Sequence, residues 1–198
     1  MSESSGERAV PRGRRAAVGF ILVSVWLDVL SLGVVIPVFA PLIQQQFTGG
    51  DVVSAARWIG IFSTIWALSQ FFAAPVLGAL SDRFGRRPVL LVSLFGLGFD
   101  YLVMAFAPTL WWLFVARVVS GLTAAGQAVA SAYIADVVEP DKRAATFGLM
   151  GAAWGVGFIV GPAIGGFLAQ RYGLRAPFYG AAALTLLAAL YGLFVLPE

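Results

Sequence analysis

The chain has 198 residues, of which 60% are hydrophobic and only 12% charged, and its mean hydropathy is +0.88. Water-soluble domains carry about 45–50% apolar and about 25% charged residues, so a soluble globule is excluded, and the unit to look for is a membrane span of roughly 20 apolar residues. A net charge of +3 is too small to argue for nucleic acid as a partner, and with no Cys and no His there is no thiolate metal site and any proton chemistry falls to carboxylates.

Residues 1–15, MSESSGERAVPRGRR, are polar and contain Pro and Gly, and they read as a disordered cytoplasmic tail. The Arg14-Arg15 pair before an apolar stretch imitates a secretory leader, but that stretch is too long for a leader core and carries Asp28. Residues 16–198 then read as a six-helix transmembrane bundle, with spans near 16–40, 58–80, 88–107, 110–136, 144–169 and 175–196. Each is long enough to cross about 30 Å of hydrocarbon as a helix, and none shows the short alternation of a barrel strand. The longest connection is 41–57; the others are short, so consecutive helices are expected to be neighbours. With the N-terminus inside, Arg8, Arg12, Arg14, Arg15, Arg83, Arg86, Arg87, Lys142 and Arg143 lie on the cytoplasmic side, and only Arg57, Arg171 and Arg175 outside. That bias predicts a multi-pass protein with both termini cytoplasmic, and it puts Trp111 and Trp112 at the outer interface, where indoles are favoured.

Four features point to more than insertion. The first is GALSDRFGRRPVL, residues 78–90. Gly78 is expected to end the second span and allow close helix packing, with Asp82, Arg83, Arg86 and Arg87 in a very short cytoplasmic turn and Pro88 starting the third helix. A topology anchor needs the basic residues but neither Asp82 nor Gly85. The second is GVGFIVGPAIGGFLA in the fifth span. Its Gly157, Gly161 and Gly165 recur every four residues on one face, with Pro162 and Gly166 beside them.

The third is a set of ionisable residues inside the spans. Asp28 and Asp100 are each ~18 Å in from the cytoplasmic end, and Arg117 is ~20 Å from that side, at ~1.5 Å per helical residue. Charges at midplane cost at least ~2.5–3.5 kcal/mol each, so they must face the bundle or a cavity. One arginine cannot neutralise two carboxylates. Arg117 is expected to pair with one aspartate, leaving the other as a candidate proton carrier. Ser31, Gln70, Ser120, Thr123 and Gln127 offer hydrogen bonds near that level, and Trp26, Trp66 and Phe99 offer flat surfaces, although each also fits plain helix packing. The fourth is Asp136 at the end of the fourth span, which can pair with Arg86 or Arg143. Such a cluster is either a conformational latch or a helix-end charge in headgroup water.

The pattern G-x-L-x-D-R-x-G-R-R-P at 78–88 resembles the cytoplasmic loop signature of the major facilitator superfamily, and G-x-x-x-G-P-x-x-G-G at 157–166 resembles the motif of its drug/proton antiporters. The stretches VWLDVLSLGVVIPV, SQFFAAPVLGALSDRFGRRPVLLVSL and FDYLVMAFAPTLWWLFVARVVSGLTAAGQAVASAYIAD are similar to those of the tetracycline-efflux group. The resemblance implies an all-α membrane protein: six transmembrane helices forming the N-terminal half of the twelve-helix major facilitator fold, as 3+3 inverted repeats. It implies efflux of a tetracycline-like drug in exchange for protons across a bacterial inner membrane, with no enzymatic step and no cofactor beyond the proton gradient, though a divalent metal can accompany such a substrate. It assigns Asp28, Gln70, Asp100 and Arg117 to coupling and the substrate cavity, and Asp82 and Arg86 to opening and closing. The implied partners are the bilayer, a small hydrophobic drug, protons and a C-terminal six-helix half. Gln127 departs from the family, which has a small residue there, and RYGLRAP is more basic than expected. Two other readings stay open: export of another hydrophobic drug or metabolite, and a non-transporting half that acts only as an assembly partner.

Overall fold

The computed structural model describes residues 12–195, and side chains within 19–194. All the regular elements among them are helices: α1 (Arg12–Phe47), α2 (Val52–Phe84), α3 (Arg86–Phe106), α4 (Leu110–Thr123), α5 (Gly126–Val137), α6 (Pro140–Tyr172) and α7 (Ala176–Val195). With α4 and α5 taken as one interrupted span, six helices are long and apolar enough to cross a membrane. Inside hydrocarbon a helix is the local structure that satisfies its own backbone polar groups, so long apolar runs fold this way.

The helices outrun the spans read from hydropathy. α1 continues through Phe47 with Pro37 and Pro41 inside it, so the connection expected over 41–57 shrinks to residues 48–51. It also begins at Arg12, inside the stretch expected to be a tail; residues 1–11 of that tail, and residue 196 at the end of the last span, lie outside the described residues. Hydropathy marks the part of a helix that sits in hydrocarbon, but the hydrogen-bond ladder continues into the interface where polar residues are tolerated. Asp51 starts α2 by accepting the backbone N–H groups of Val53 and Ser54 at 3.0 and 3.2 Å. The Ser54 hydroxyl, followed by these two amides, holds the Asp51 carboxyl below its ordinary range. A depressed carboxylate contributes its cap above its unfolded value and loses it only as the pH falls through the lower folded one.

Gly78 does not end the second helix. α2 runs on to Phe84, and a Cβ at Gly78 would meet nothing within 4 Å, so no close packing depends on it. Asp82 and Arg83 therefore occupy the last turn of α2, and Arg86 and Arg87 the first turn of α3. The whole turn is one residue, Gly85, at φ 95° and ψ 160°. That left-handed conformation explains the glycine, since a Cβ would be strained there.

The principal contacts are α1 with α6, α3 with α7, α2 with α4, α1 with α7 and α3 with α4. Exchanging the first three spans with the last three maps α1–α6 onto α2–α4 and α1–α7 onto α3–α4, and leaves α3–α7 unchanged. The packing thus carries the 3+3 relation, inverted because each repeat has an odd number of spans. Glycines permit the closest approaches. A Cβ on Gly157 would meet Val29 and Leu30, one on Gly161 would lie 2.6 Å from the Gly33 Cα, and one on Gly165 would strike the Val34 backbone. Gly121 serves α4 against Trp66 and Ser69 of α2 in the same way. Gly166 faces open space and takes no part.

The two ends are tied differently. At one end Arg87 Nη2 donates to the Leu193 carbonyl at 2.6 Å, and the Phe20 and Tyr191 rings lie 5.4 Å apart. At the other, Arg175 donates to Gln46 Oε1 at 2.8 Å and to the Ala105 and Ala107 carbonyls at 2.9 Å each. This gives the basic RYGLRAP turn a structural job: it closes the exposed carbonyl end of α3. Two apolar cores fill the halves, one around Leu42, Phe62, Met104 and Phe178, the other around Ile21, Val29, Ile134 and Met150. The polar layer lies between them. Large parts of α2 and α6 are exposed, as at Phe71, Phe72, Ile159 and Phe167.

Gly161→Ala should lower the thermal unfolding midpoint of the detergent-purified chain, because overpacking a tight contact costs about 1–3 kcal/mol. Gly166→Ala, which adds a methyl to open space, should leave the midpoint unchanged or slightly raised.

Candidate functional site

A cavity of about 170 Å³ opens between the two cores, lined by Asp28, Trp66, Gln70, Tyr101, Gln127 and Trp154. α1 contributes Asp28 to this cavity, α2 contributes Trp66 and Gln70 one turn apart, and α3 contributes Tyr101. Trp154 of α6 and the gap between α4 and α5, at Ala124 and Gly126, close the wall further.

That gap is supported by side chains. Gln70 Nε2 donates to the Ala124 carbonyl at 3.3 Å, and the Ala125 N–H donates to Ser93 Oγ at 3.3 Å. Thr123 Oγ1 shares its proton between the Val119 and Ser120 carbonyls at 3.0 and 3.3 Å, and the second of these has lost its ladder donor, because the Ala124 N–H turns to the Gly121 carbonyl. A hydroxyl that competes with the backbone at that point explains how a span without proline is interrupted. Neither the break nor Ser93 was foreseen from sequence; the signal was Thr123 between Gly121 and Gly126.

The two aspartates have separate fates. Asp100 is fully buried and forms the ion pair with Arg117. The Arg117 guanidinium also contacts Met104 Sδ at 3.4 Å and lies over the Phe39 ring at 5.8 Å. Asp28 forms no ion pair among the described residues and faces the cavity, so the carboxylate left over by the charge count is Asp28. Gln127 accepts a hydrogen bond from Trp154 Nε1 at 2.9 Å, and the Trp154 ring stacks on Phe158 at 5.6 Å. Trp154 was not singled out from sequence. Its mark was position alone, one turn before Gly157 on the helix that packs against α1.

Other residues expected near this layer lie elsewhere. Ser31 is buried between α1 and α7, donating to the Leu27 carbonyl at 2.8 Å and accepting from Thr185 at 3.1 Å. Thr123 caps α4, Trp26 does not line the cavity, and Phe99 is half exposed on an apolar groove with Phe106 and Trp112. Helical periodicity gives the depth of such residues but not the face each turns inward. Pro162 packs its ring near Gly33, so it belongs to the α1–α6 contact.

At the basic end, Arg86 bridges two carboxylates. Its Nη1 lies 2.6 Å from Asp82 Oδ1 and its Nε 3.3 Å from Asp136 Oδ2, and it also donates to Ser81 Oγ at 3.0 Å. Arg86, not Arg143, is therefore the partner of Asp136; Arg143 donates to the Val138 carbonyl at 3.0 Å. The cluster joins α2, α3 and α5. Arg83 stands apart, over the Phe84 ring at 5.2 Å.

Comparison with known proteins fits this geometry. The family model of the Major Facilitator Superfamily matches residues 21–198. The chain is 49% identical over 181 residues to the class C tetracycline resistance protein of Escherichia coli, covering 90% of this chain and 44% of that protein. It is 44% identical over 177 residues to the class E protein of the same species, covering 89% of this chain and 43% of that one. The crystal structure of a human organic anion transporter superposes with a TM-score of 0.78 at 24% identity, covering 93% of this chain and 48% of that one, a likeness of fold. The chain spans less than half the length of the curated relatives it matches.

Removing one member of a buried ion pair costs about 3–5 kcal/mol, because the other is left charged and alone. Arg117→Ala should therefore sharply lower the fraction of chain recovered as a monodisperse peak after extraction. Arg117→Gln combined with Asp100→Asn should recover most of it.

Proposed function

The chain belongs to the major facilitator superfamily, and from that premise we propose that it is the N-terminal half of a drug/proton antiporter exporting a tetracycline-like compound across a bacterial inner membrane. The observation that carries this reading is the midspan cavity, which puts an unpaired carboxylate, Asp28, beside two amides and two indole faces. Its volume of about 170 Å³ is below the roughly 300–1,000 Å³ that encloses a drug-sized ligand. Half a cavity is what one repeat pair supplies when the transport site lies between halves. The exposed faces of α2 and α6 are apolar enough to meet a second six-helix half or lipid.

Transport in this reading requires no covalent step. Asp28 holds either a proton or the cationic end of the ligand, and binding of one excludes the other. Exchange of the two biases the inward- and outward-open states. A divalent metal travelling with the drug would count as part of the substrate. Asp100 and Arg117 neutralise each other and fix α3 against α4. Arg86, holding Asp82 and Asp136, latches α2, α3 and α5 at the basic end. With Asp82 and Asp136 more than half exposed, such pairs are worth about 0–1 kcal/mol, so the latch biases a state without locking it. The positive-inside pattern favours the basic end, and both termini, as cytoplasmic.

The test is proton-driven tetracycline uptake into inverted membrane vesicles, with this chain alone and with a matching C-terminal half. Uptake is expected only with both halves, and Asp28→Asn should reduce it to background while both chains remain inserted. Asp82→Asn should leave insertion intact and slow uptake severalfold. Absence of uptake with both halves inserted would remove tetracycline as the substrate and send the search to other hydrophobic drugs.

A further inference from the structure

The ties at the two ends of the bundle differ in their surroundings but share one element. GALSDRFGRR at 78–87 and GFLAQRYGLR at 166–175 align without a gap, 88 positions apart. Gly, Leu, Arg, Gly and Arg recur at the same five places, and an aromatic ring, Phe84 or Tyr172, precedes the second glycine in each. The backbone repeats with the sequence: Gly85 has φ 95° and ψ 160°, and Gly173 has φ 93° and ψ 164°. The same shift carries Gly33, at the α1–α6 contact, onto Gly121, at the α2–α4 contact.

The hydrogen bonds obey this shift with the helices exchanged. Arg87, in the first turn of α3, donates to the Leu193 carbonyl in the last turn of α7 at 2.6 Å. Arg175, just before α7, donates to the Ala105 carbonyl in the last turn of α3 at 2.9 Å, and to that of Ala107 just past it. The two acceptors, Ala105 and Leu193, are themselves 88 positions apart. Each helix start therefore holds the end of the other helix. The last carbonyls of a helix have no donor within it and form the negative end of its dipole, so a guanidinium answers both needs. The charge latch does not repeat. Asp82, Arg86 and Asp136 fall opposite Gln170, Leu174 and Thr48, so the outer turn keeps the arginine tie and lacks the carboxylates.

We propose that Arg87 and Arg175 are one device used twice, a reciprocal clamp that joins α3 and α7 at both membrane faces into a single body. The α3–α7 contact is the one that the exchange of repeats maps onto itself. It can therefore stay fixed while the α1–α6 and α2–α4 packings shift in opposite senses. Arg86 and Arg87, adjacent in sequence, then have separate jobs: Arg86 bridges carboxylates that can part, and Arg87 holds a helix end that does not. The clamp is independent of what is transported.

The test is amide hydrogen exchange, read by mass spectrometry, on the full chain in lipid nanodiscs, with no drug and no proton gradient. Failure of the transport reading therefore leaves its outcome untouched. Three variants are compared with wild type: Arg87→Met and Arg175→Met, which keep an apolar stem and lose the donors, and Arg86→Met, which breaks the latch alone. Arg175→Met should speed exchange about tenfold at the end of α3, residues 103–107, and leave the end of α7 unchanged. Arg87→Met should do the reverse, speeding residues 190–195 and sparing the end of α3. Arg86→Met should change neither end. Should a methionine variant not extract as a folded chain, the lysine variant at that position, with one point charge in place of the fork, is expected to give a smaller rise at the same distant end. No rise, a rise at both ends together, or a rise at these ends in Arg86→Met would overturn the proposal.

Discussion

In hydrocarbon no solvent satisfies a stranded backbone N–H or carbonyl, and this one constraint accounts for most of what the chain does. It makes the spans helical and carries helices such as α1 through two prolines. It also makes the interruption at Ala124 and Ala125 significant, because a break at that depth survives only if other groups take over its hydrogen bonds. Gln70, Ser93 and Thr123 take over part of them, from three different helices. Polar residues that look like scattered exceptions in an apolar sequence are thus the supports of one irregular segment.

The same solvent sets the rules for charge. Asp100 and Arg117 neutralise each other where neither could stand alone, and the pair is screened from the cavity. Asp28 is left without a counter-ion, among the described residues, in the wall of the cavity. A stable pair anchors the bundle, while an unpaired carboxylate is free to exchange what it binds. Division of labour between the two aspartates follows from the shortage of cations within the spans.

Close helix contact is the other requirement, since apolar side chains gain little by leaving lipid for protein. The Gly33, Gly157, Gly161 and Gly165 seam brings α1 and α6 to backbone contact, and Gly121 does the same for α4 and α2. These two contacts are related by the exchange of the repeats. The faces of α2 and α6 away from these seams remain open, and the cavity lies between them.

The sequence by itself determined the number of spans, the alignment of glycines on one helical face and the membrane setting. These follow from composition and from a period of 3.6 residues, both local properties. It also put Asp28, Gln70, Asp100, Arg117 and Gln127 at the cavity; Asp28, Gln70 and Gln127 line it, while Asp100 and Arg117 pair with each other away from it. What only the tertiary structure decided was partnership. Arg117 could have paired with either aspartate, and Asp136 with either of two arginines, because sequence spacing fixes depth along a helix but not the rotation of one helix against another. Gly78 and Gly166 stand in the two glycine-containing motifs yet face open space. Tyr101, Ser93 and Trp154 looked like ordinary helix residues until packing turned them toward the cavity, and the break itself is supported by side chains from separate helices.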